Sequence, residues 1–124
     1  HCQFADSTGG ATVFYNGTSN TSDSKLKDQQ SDLSAAECWA IVDHVRPKSY
    51  VRNDLQNQAR VGFIAQDLQQ ACTGPFACIV GEAEQEDGES LLTVDYARLS
   101  TILFRCVQDL HSRLTALETA NGAA

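Results

Sequence analysis

The last quarter of the chain, opening DYARLSTILFRCVQDLHSRLTALETA, carries an apolar stripe that few folds can use. Leu99, Leu103, Cys106, Leu110 and Leu117 recur at spacings of four, three, four and seven, and Ile102 and Leu114 widen the stripe. Residues three and four apart share one face of an α-helix, so the spacing predicts a helix with a seam. Asp95 suits the N-cap, because its carboxylate can accept from the first unpaired backbone N–H groups. A helix over 96–120 is about 37 Å long at about 1.5 Å per residue, more than a small domain needs for its own packing. A self-associating bundle is one use for such a seam. Closing a monomeric core is the other, and periodicity alone leaves both open.

The 124 residues allow one domain at most, which buries roughly two-thirds of its unfolded surface. No apolar run approaches the roughly 20 residues needed to span a bilayer, and no basic-then-apolar leader opens the sequence, so no membrane partner is expected. Sixteen acids against nine bases give a formal charge of -7, which repels a phosphate backbone and argues against nucleic acid. Five cysteines (Cys2, Cys38, Cys72, Cys78 and Cys106) include no CxxC and no zinc spacing, and most read as small buried hydrophobes. Cys72 and Cys78 bracket TGPFA; they are expected to stay reduced, since nothing else signals secretion. The sequons at Asn16 and Asn20 matter only on a eukaryotic secretory route.

Residues 3–21 are rich in Gly, Ser, Thr and Asn around ATVFY, which reads as a strand ending at the Asn16-Gly17 turn signal. From Ser34 the character changes. Ser34 and Glu37 fit a capping box, and Ala36, Trp39, Ala40 and either Ile41 or Val42 recur at helical spacing, predicting a helix over 34–44 that Arg46-Pro47 stops. KSYVR (48–52) and RVGFIA (60–65) read as a hairpin joined through 53–59. QDLQQAC suggests a short helix and FACIV (76–80) a further strand, while the acidic EAEQEDGE (82–89) lacks calcium-loop spacing and reads as a solvated, mobile loop. The fold class expected is α+β: short strands and small helices plus a long C-terminal helix.

One polar stretch holds the elements of a reaction. TSNTSDSKLKDQQ (18–30) places Ser22 five residues before Lys27. A serine hydroxyl becomes a nucleophile when a base takes its proton, and a lysine serves as that base when its amine is neutral, a state favoured by apolar surroundings. In an extended strand positions 22 and 27 lie too far apart to touch. A dyad therefore requires a turn between them, or a neighbouring chain, and spacing alone is weak support for it.

Taken in order, SDSKLK (22–27), VRPKSYVRN (45–53), VGFIAQDLQ (61–69), LTVDYARL (92–99) and the heptad helix ending LTALE resemble the intramolecular chaperone domain of phage tailspikes and tail fibres, the chaperone of endosialidase or peptidase S74 family. The resemblance spans residues 22–118. It implies a domain that trimerises through its C-terminal helix into a trimeric helical bundle, helps the preceding β-rich stalk of its own chain to fold, and then cuts itself off. Residues 1–21 would be the end of the stalk and 22–124 the helper. Ser22 would be the nucleophile, Lys27 the general base and the Ser22-Asp23 junction the cleavage site, with no metal and no cofactor. The setting implied is a virion-associated precursor made in the host cytoplasm. Lys25 departs from the family pattern, which usually has arginine there; a planar fork gives way to a point charge.

Geometry bears on which bond is cut. Attack by Ser22 Oγ on its own carbonyl forms a four-membered ring, attack on the Thr21 carbonyl a five-membered one that cuts a residue earlier, and attack across copies removes the ring altogether. The oxyanion would be held by backbone amides, with Gln66 a lesser candidate more simply read as structural. His44, at a predicted helix end, and His111, on the polar side of the long helix, read as structural or surface residues. Trp39 and Tyr96 read as core aromatics, and Arg98 and Arg105 as partners for acids of another chain. A non-cleaving assembly or attachment cap of the same fold, and an ordinary monomeric interaction domain, are the competing readings.

Overall fold

The computed structural model describes residues 21–122. The strand expected at ATVFY, the Asn16-Gly17 turn, both sequons and Cys2 lie outside them. The chain divides into two units, His1–Asp32 and Leu33–Ala124. In the first, the described residues hold a 3-10 turn at Ser24–Leu26 and are all exposed.

The second unit is α+β, as the sequence led us to expect. Its first helix, α1, is Ala35–His44; Ser34 caps it by accepting from the Glu37 backbone N–H at 3.3 Å, and Val45 ends it before Pro47. The buried face is Cys38 and Ile41, with Val45 just beyond, whereas Ala36 and Ala40 of the expected stripe face solvent. Strand β1 (Lys48–Arg52) pairs antiparallel with β2 (Gln58–Gly62), Lys48 opposite Gly62 and Arg52 opposite Gln58. β2 thus starts two residues earlier than RVGFIA and stops at Gly62, because Phe63 and Ile64 leave the ladder to enter helix α2, Ala65–Ala71.

Two expectations need correction. FACIV is not a strand: Gly74, at φ +60°, and Pro75 start a 3-10 helix over Gly74–Ile79, and strand β3 begins only at Val80. The acidic run is not a free loop either. Its first half is the end of β3 (Val80–Glu84), which pairs with β4 (Ser90–Val94), and its second half is a tight turn closed by Gly88 at φ +87°, with Gln85 N–H donating to the Glu89 carbonyl at 2.7 Å. Solvent exposure of the acids is what the composition conveyed; the pairing came from Val80, Ala83, Leu92 and Val94, which the charge concealed.

Helix α3 runs Tyr96–Gly122 with Asp95 at its start, the Asp95 carboxylate accepting from the Arg98 N–H at 3.1 Å. The core lies where α1, α2 and the 3-10 helix meet the first three turns of α3. Cys38, Ile41, Leu68, Phe76, Ile79 and Ile102 are its centre. Cys38, Cys72 and Cys106 are buried within it as expected, and burial pushes their thiols up, away from thiolate chemistry. Cys72 and Cys78 are both free. Among the described residues, no helix is long and apolar enough to cross a membrane.

Candidate functional site

The polar stretch folds back on itself. Asp23 opens the 3-10 turn, its carboxylate accepting from the Lys25 N–H at 3.0 Å while its carbonyl accepts from the Leu26 N–H at 3.0 Å. One tight turn reverses the chain, and Lys27 Nζ then donates to Ser22 Oγ. The turn that a dyad demands is therefore built by the residues between its members. Gln30 holds the returning limb, its amide donating to Ser24 Oγ and to the Lys27 carbonyl, each at 3.0 Å. Gln30 was missed by the sequence reading. A glutamine three residues past a lysine gives no signal until the turn is seen.

The contact's polarity matters for chemistry. As it stands the lysine donates and the serine accepts. For general-base work the same pair must run in reverse, a neutral amine accepting the hydroxyl proton, which apolar surroundings favour. Ser22, Asp23 and Lys27 are all exposed in the single chain, and Leu26 beside them is 70% exposed. Ser22 and Lys27 are in hydrogen-bond contact, and the single chain places no apolar surroundings about the amine. Lys25 uses its backbone N–H in the turn and its side chain is exposed, so no bidentate contact is required of it.

In the second unit, two stretches singled out in the sequence meet each other. The Tyr96 hydroxyl accepts from the Phe63 backbone N–H at 3.0 Å, and the two rings lie 6.1 Å apart. Gly62 makes room for this: a Cβ there would stand 2.5 Å from the Tyr96 hydroxyl and 2.8 Å from that of Tyr50. VGFIAQ and VDYARL are thus two halves of one clamp between the first hairpin and the start of α3. Tyr96 is half-exposed and acts through its hydroxyl, where a core aromatic was expected. Trp39 is half-buried and donates to Asp109 at 2.8 Å. That bond, before the contribution of Arg113, holds the Asp109 carboxyl below its usual range.

Three of the remaining candidates, Arg98, Arg105 and His44, are engaged within their own chain. Arg98 pairs with Asp95, and Arg105 Nε donates to the Leu33 carbonyl at 2.8 Å, so each has a partner within its own chain. His44 donates from Nδ1 to the Ala40 carbonyl at 2.7 Å in the last turn of α1, a structural role. His111 and Gln66 are exposed, on α3 and α2 respectively.

The α3 stripe splits in two. Leu99, Ile102 and Cys106 are buried in the core. Leu103, Phe104, Val107, Leu110, Leu114 and Leu117 are each between 50% and 68% exposed, and every residue from Leu110 to Gly122 is exposed. The sequence reading joined core and surface positions into one seam and missed Phe104 and Val107. With Val107 included, Leu103, Val107, Leu110, Leu114 and Leu117 follow spacings of four, three, four and three, an unbroken heptad pattern on solvent-facing residues.

Residues 22–77 match the model of the peptidase S74 family, described as chaperone of endosialidase. The match begins at Ser22 and ends within the 3-10 helix, so it takes in Ser22 and Lys27, α1, the first hairpin and α2. It covers less than half of the chain, and the tyrosine clamp's second half and α3 lie beyond it. No curated protein matches the chain.

Proposed function

We propose, on the premise that residues 22–77 are a chaperone of endosialidase region, that this chain is an intramolecular trimerisation chaperone of a viral tailspike or tail-fibre stalk, and that it releases itself by Ser-Lys autoproteolysis next to Ser22. Residues 1–21 are then the end of the stalk and 22–124 the disposable helper. Three copies associate through the bare heptad face of α3. Their association raises the local concentration of three stalk strands, so that slow, non-local β pairing starts in register. The precursor belongs to a virion in assembly in the host cytoplasm, and the helper leaves once the stalk is folded. Cutting changes no contact inside the stalk but removes its route to reassembly, leaving it held by its unfolding barrier.

The observation that carries the peptidase half is the contact of Lys27 Nζ with Ser22 Oγ across a single 3-10 turn. In the reaction, the neutral Lys27 amine takes the Ser22 proton and Oγ attacks a backbone carbonyl beside it. The oxyanion is held by backbone amides. The leaving amine receives the proton from Lys27, and water hydrolyses the serine ester, so each chain turns over once. Assembly supplies the apolar surroundings that the single chain lacks at Lys27, which makes cutting wait for the trimer.

The test is intact mass spectrometry of the chain preceded by a longer stalk. The parent is expected to release a fragment beginning near Asp23, with the mass fixing the bond, and Ser22→Ala and Lys27→Ala are expected to remain whole trimers. Release of the same fragment from Ser22→Ala overturns the assignment. The exposure of both dyad side chains favours one second reading, a non-cleaving assembly or attachment cap with the same fold. An assembled parent that never cuts would establish it.

A further inference from the structure

The second unit contains an apolar cavity of about 300 Å³ lined by Ile41, Val45 and Phe63 on one side and by Leu99, Ile102 and Leu103 of α3 on the other. The cavity opens to solvent, so its apolar walls stay wet in the single chain, and its size has room for a large side chain of another molecule. It is placed beside the solvent-facing stripe, because Leu103 belongs to both: it lines the cavity and is 59% exposed.

The heptad pattern says which residue of another copy comes to that place. The spacing of four then three puts Leu103, Leu110 and Leu117 at d and Val107 and Leu114 at a. Leu99 then falls at g and Phe104 at e, five residues on; Arg113 and Glu118 stand in the same g and e relation. In a parallel, in-register coil, each g residue meets the e residue five positions on in the neighbouring helix. That register gives Arg113 an opposite charge in Glu118 of the next copy. By the same rule it brings Phe104, 68% exposed in the single chain, onto Leu99 at the edge of the cavity. The charge pair and the aromatic-to-cavity fit come from different residues and select one alignment.

We propose that Phe104 of each copy inserts into the apolar cavity of its neighbour, against Leu99 and Leu103, so that each copy completes the core of the next. The inference rests on the reading that copies assemble through α3, and it goes further by naming the docking site. The contact is directional, knob on one copy and hole on the next, and three such contacts close a ring with no knob or hole left over. Assembly and core packing thereby become one event: a single copy keeps an unfilled apolar cavity between its α1 and α3.

Two measurements on the full chain test it. Sedimentation of Phe104→Ala across a concentration series is expected to show the same closed assembly as the parent with each contact weakened about ten- to hundred-fold, the effect of leaving a phenylalanine's apolar surface in water. In Phe104→Trp, the introduced indole is expected to be shielded from acrylamide in the assembly, and to become open to it when Leu110→Asp and Leu114→Asp are added to break the seam. An unchanged concentration dependence for Phe104→Ala, or an indole as accessible in the assembly as in the broken-seam variant, overturns the docking while leaving assembly through α3 intact. A parent that sediments as a monomer at all concentrations overturns both.

Discussion

The segment carrying Ser22 and Lys27 and the body built on α1 and α3 are held by different forces. Among the described residues of the segment nothing is buried, and their bonds are local: Asp23 to Lys25 and Leu26, Ser22 to Lys27, Gln30 to Ser24 and Lys27. In the body, apolar residues far apart in sequence share one core, and long-range polar bonds fasten it, Trp39 to Asp109 and Arg105 to the Leu33 carbonyl. An exposed hydrogen bond adds only about 0.5–1.5 kcal/mol, whereas burying a single large aliphatic side chain contributes about 1.5–3 kcal/mol. The turn between Ser22 and Lys27 is therefore the part that can open and re-form without unfolding the rest. Under the proposed self-cleavage, that separation lets the site stay unfinished until its surroundings arrive.

The contrast is sharpened most by striking the core. Ile102→Ala removes a side chain 1% exposed at the centre of the α1–α3 packing and is expected to cost about 2–5 kcal/mol in urea unfolding. Ser22→Ala, in the same assay, should leave the midpoint within about 0.5 kcal/mol of the parent. A comparable loss from both would mean that the segment and the body are one cooperative unit. Gly62→Ala is next in size, about 1–3 kcal/mol, because its Cβ displaces the Tyr96 hydroxyl from the Phe63 N–H. Pairing it with Tyr96→Phe should recover part of the loss, which a double-mutant cycle measures.

The smallest effect concerns acid. The bond from Trp39, with Arg113 beside it, lowers the Asp109 carboxyl in the folded chain below its ordinary 3.8. A lowered carboxylate stabilises the fold fully above the unfolded value and loses that contribution as pH falls through the folded one. Thermal unfolding followed from about pH 5 downward should show this decline, and Asp109→Asn, which still accepts from Trp39 but does not titrate, should flatten it. An identical slope in the variant would assign the acid sensitivity to other carboxylates.

Much of this architecture was legible in the sequence, for local reasons. Ser34 and Pro47 bound α1, Asp95 starts α3, and the alternation in KSYVR marks β1, each a signal contained within a few residues. What stayed hidden depended on contacts across the chain. Cys38 rather than Ala36 faces the core of α1 because α3 approaches that side, and no propensity records the direction of approach. The acidic run conceals β3 because Ala83 stands between two glutamates and Val80 lies just outside the run. The α3 stripe was visible, yet its division into a buried and a bare face required knowing which turns α1 covers. Ser22 and Lys27 were named from the resemblance, while the turn joining them, and Gln30 behind it, follow from Asp23 acting as a cap that sequence spacing alone left open.

The close approach of Gly62 to two tyrosine hydroxyls restricts how this chain can change over time. A side chain at position 62 is blocked while Tyr96 stands in place, and losing the Tyr96 hydroxyl first strips the Phe63 N–H of its acceptor, so neither single step is neutral. The two positions are tied in a ratchet: descendants that keep one are held to the other. Sequences in which 62 is no longer glycine should therefore also have lost the tyrosine at 96, and in them the first hairpin must be fastened to α3 by some different bond.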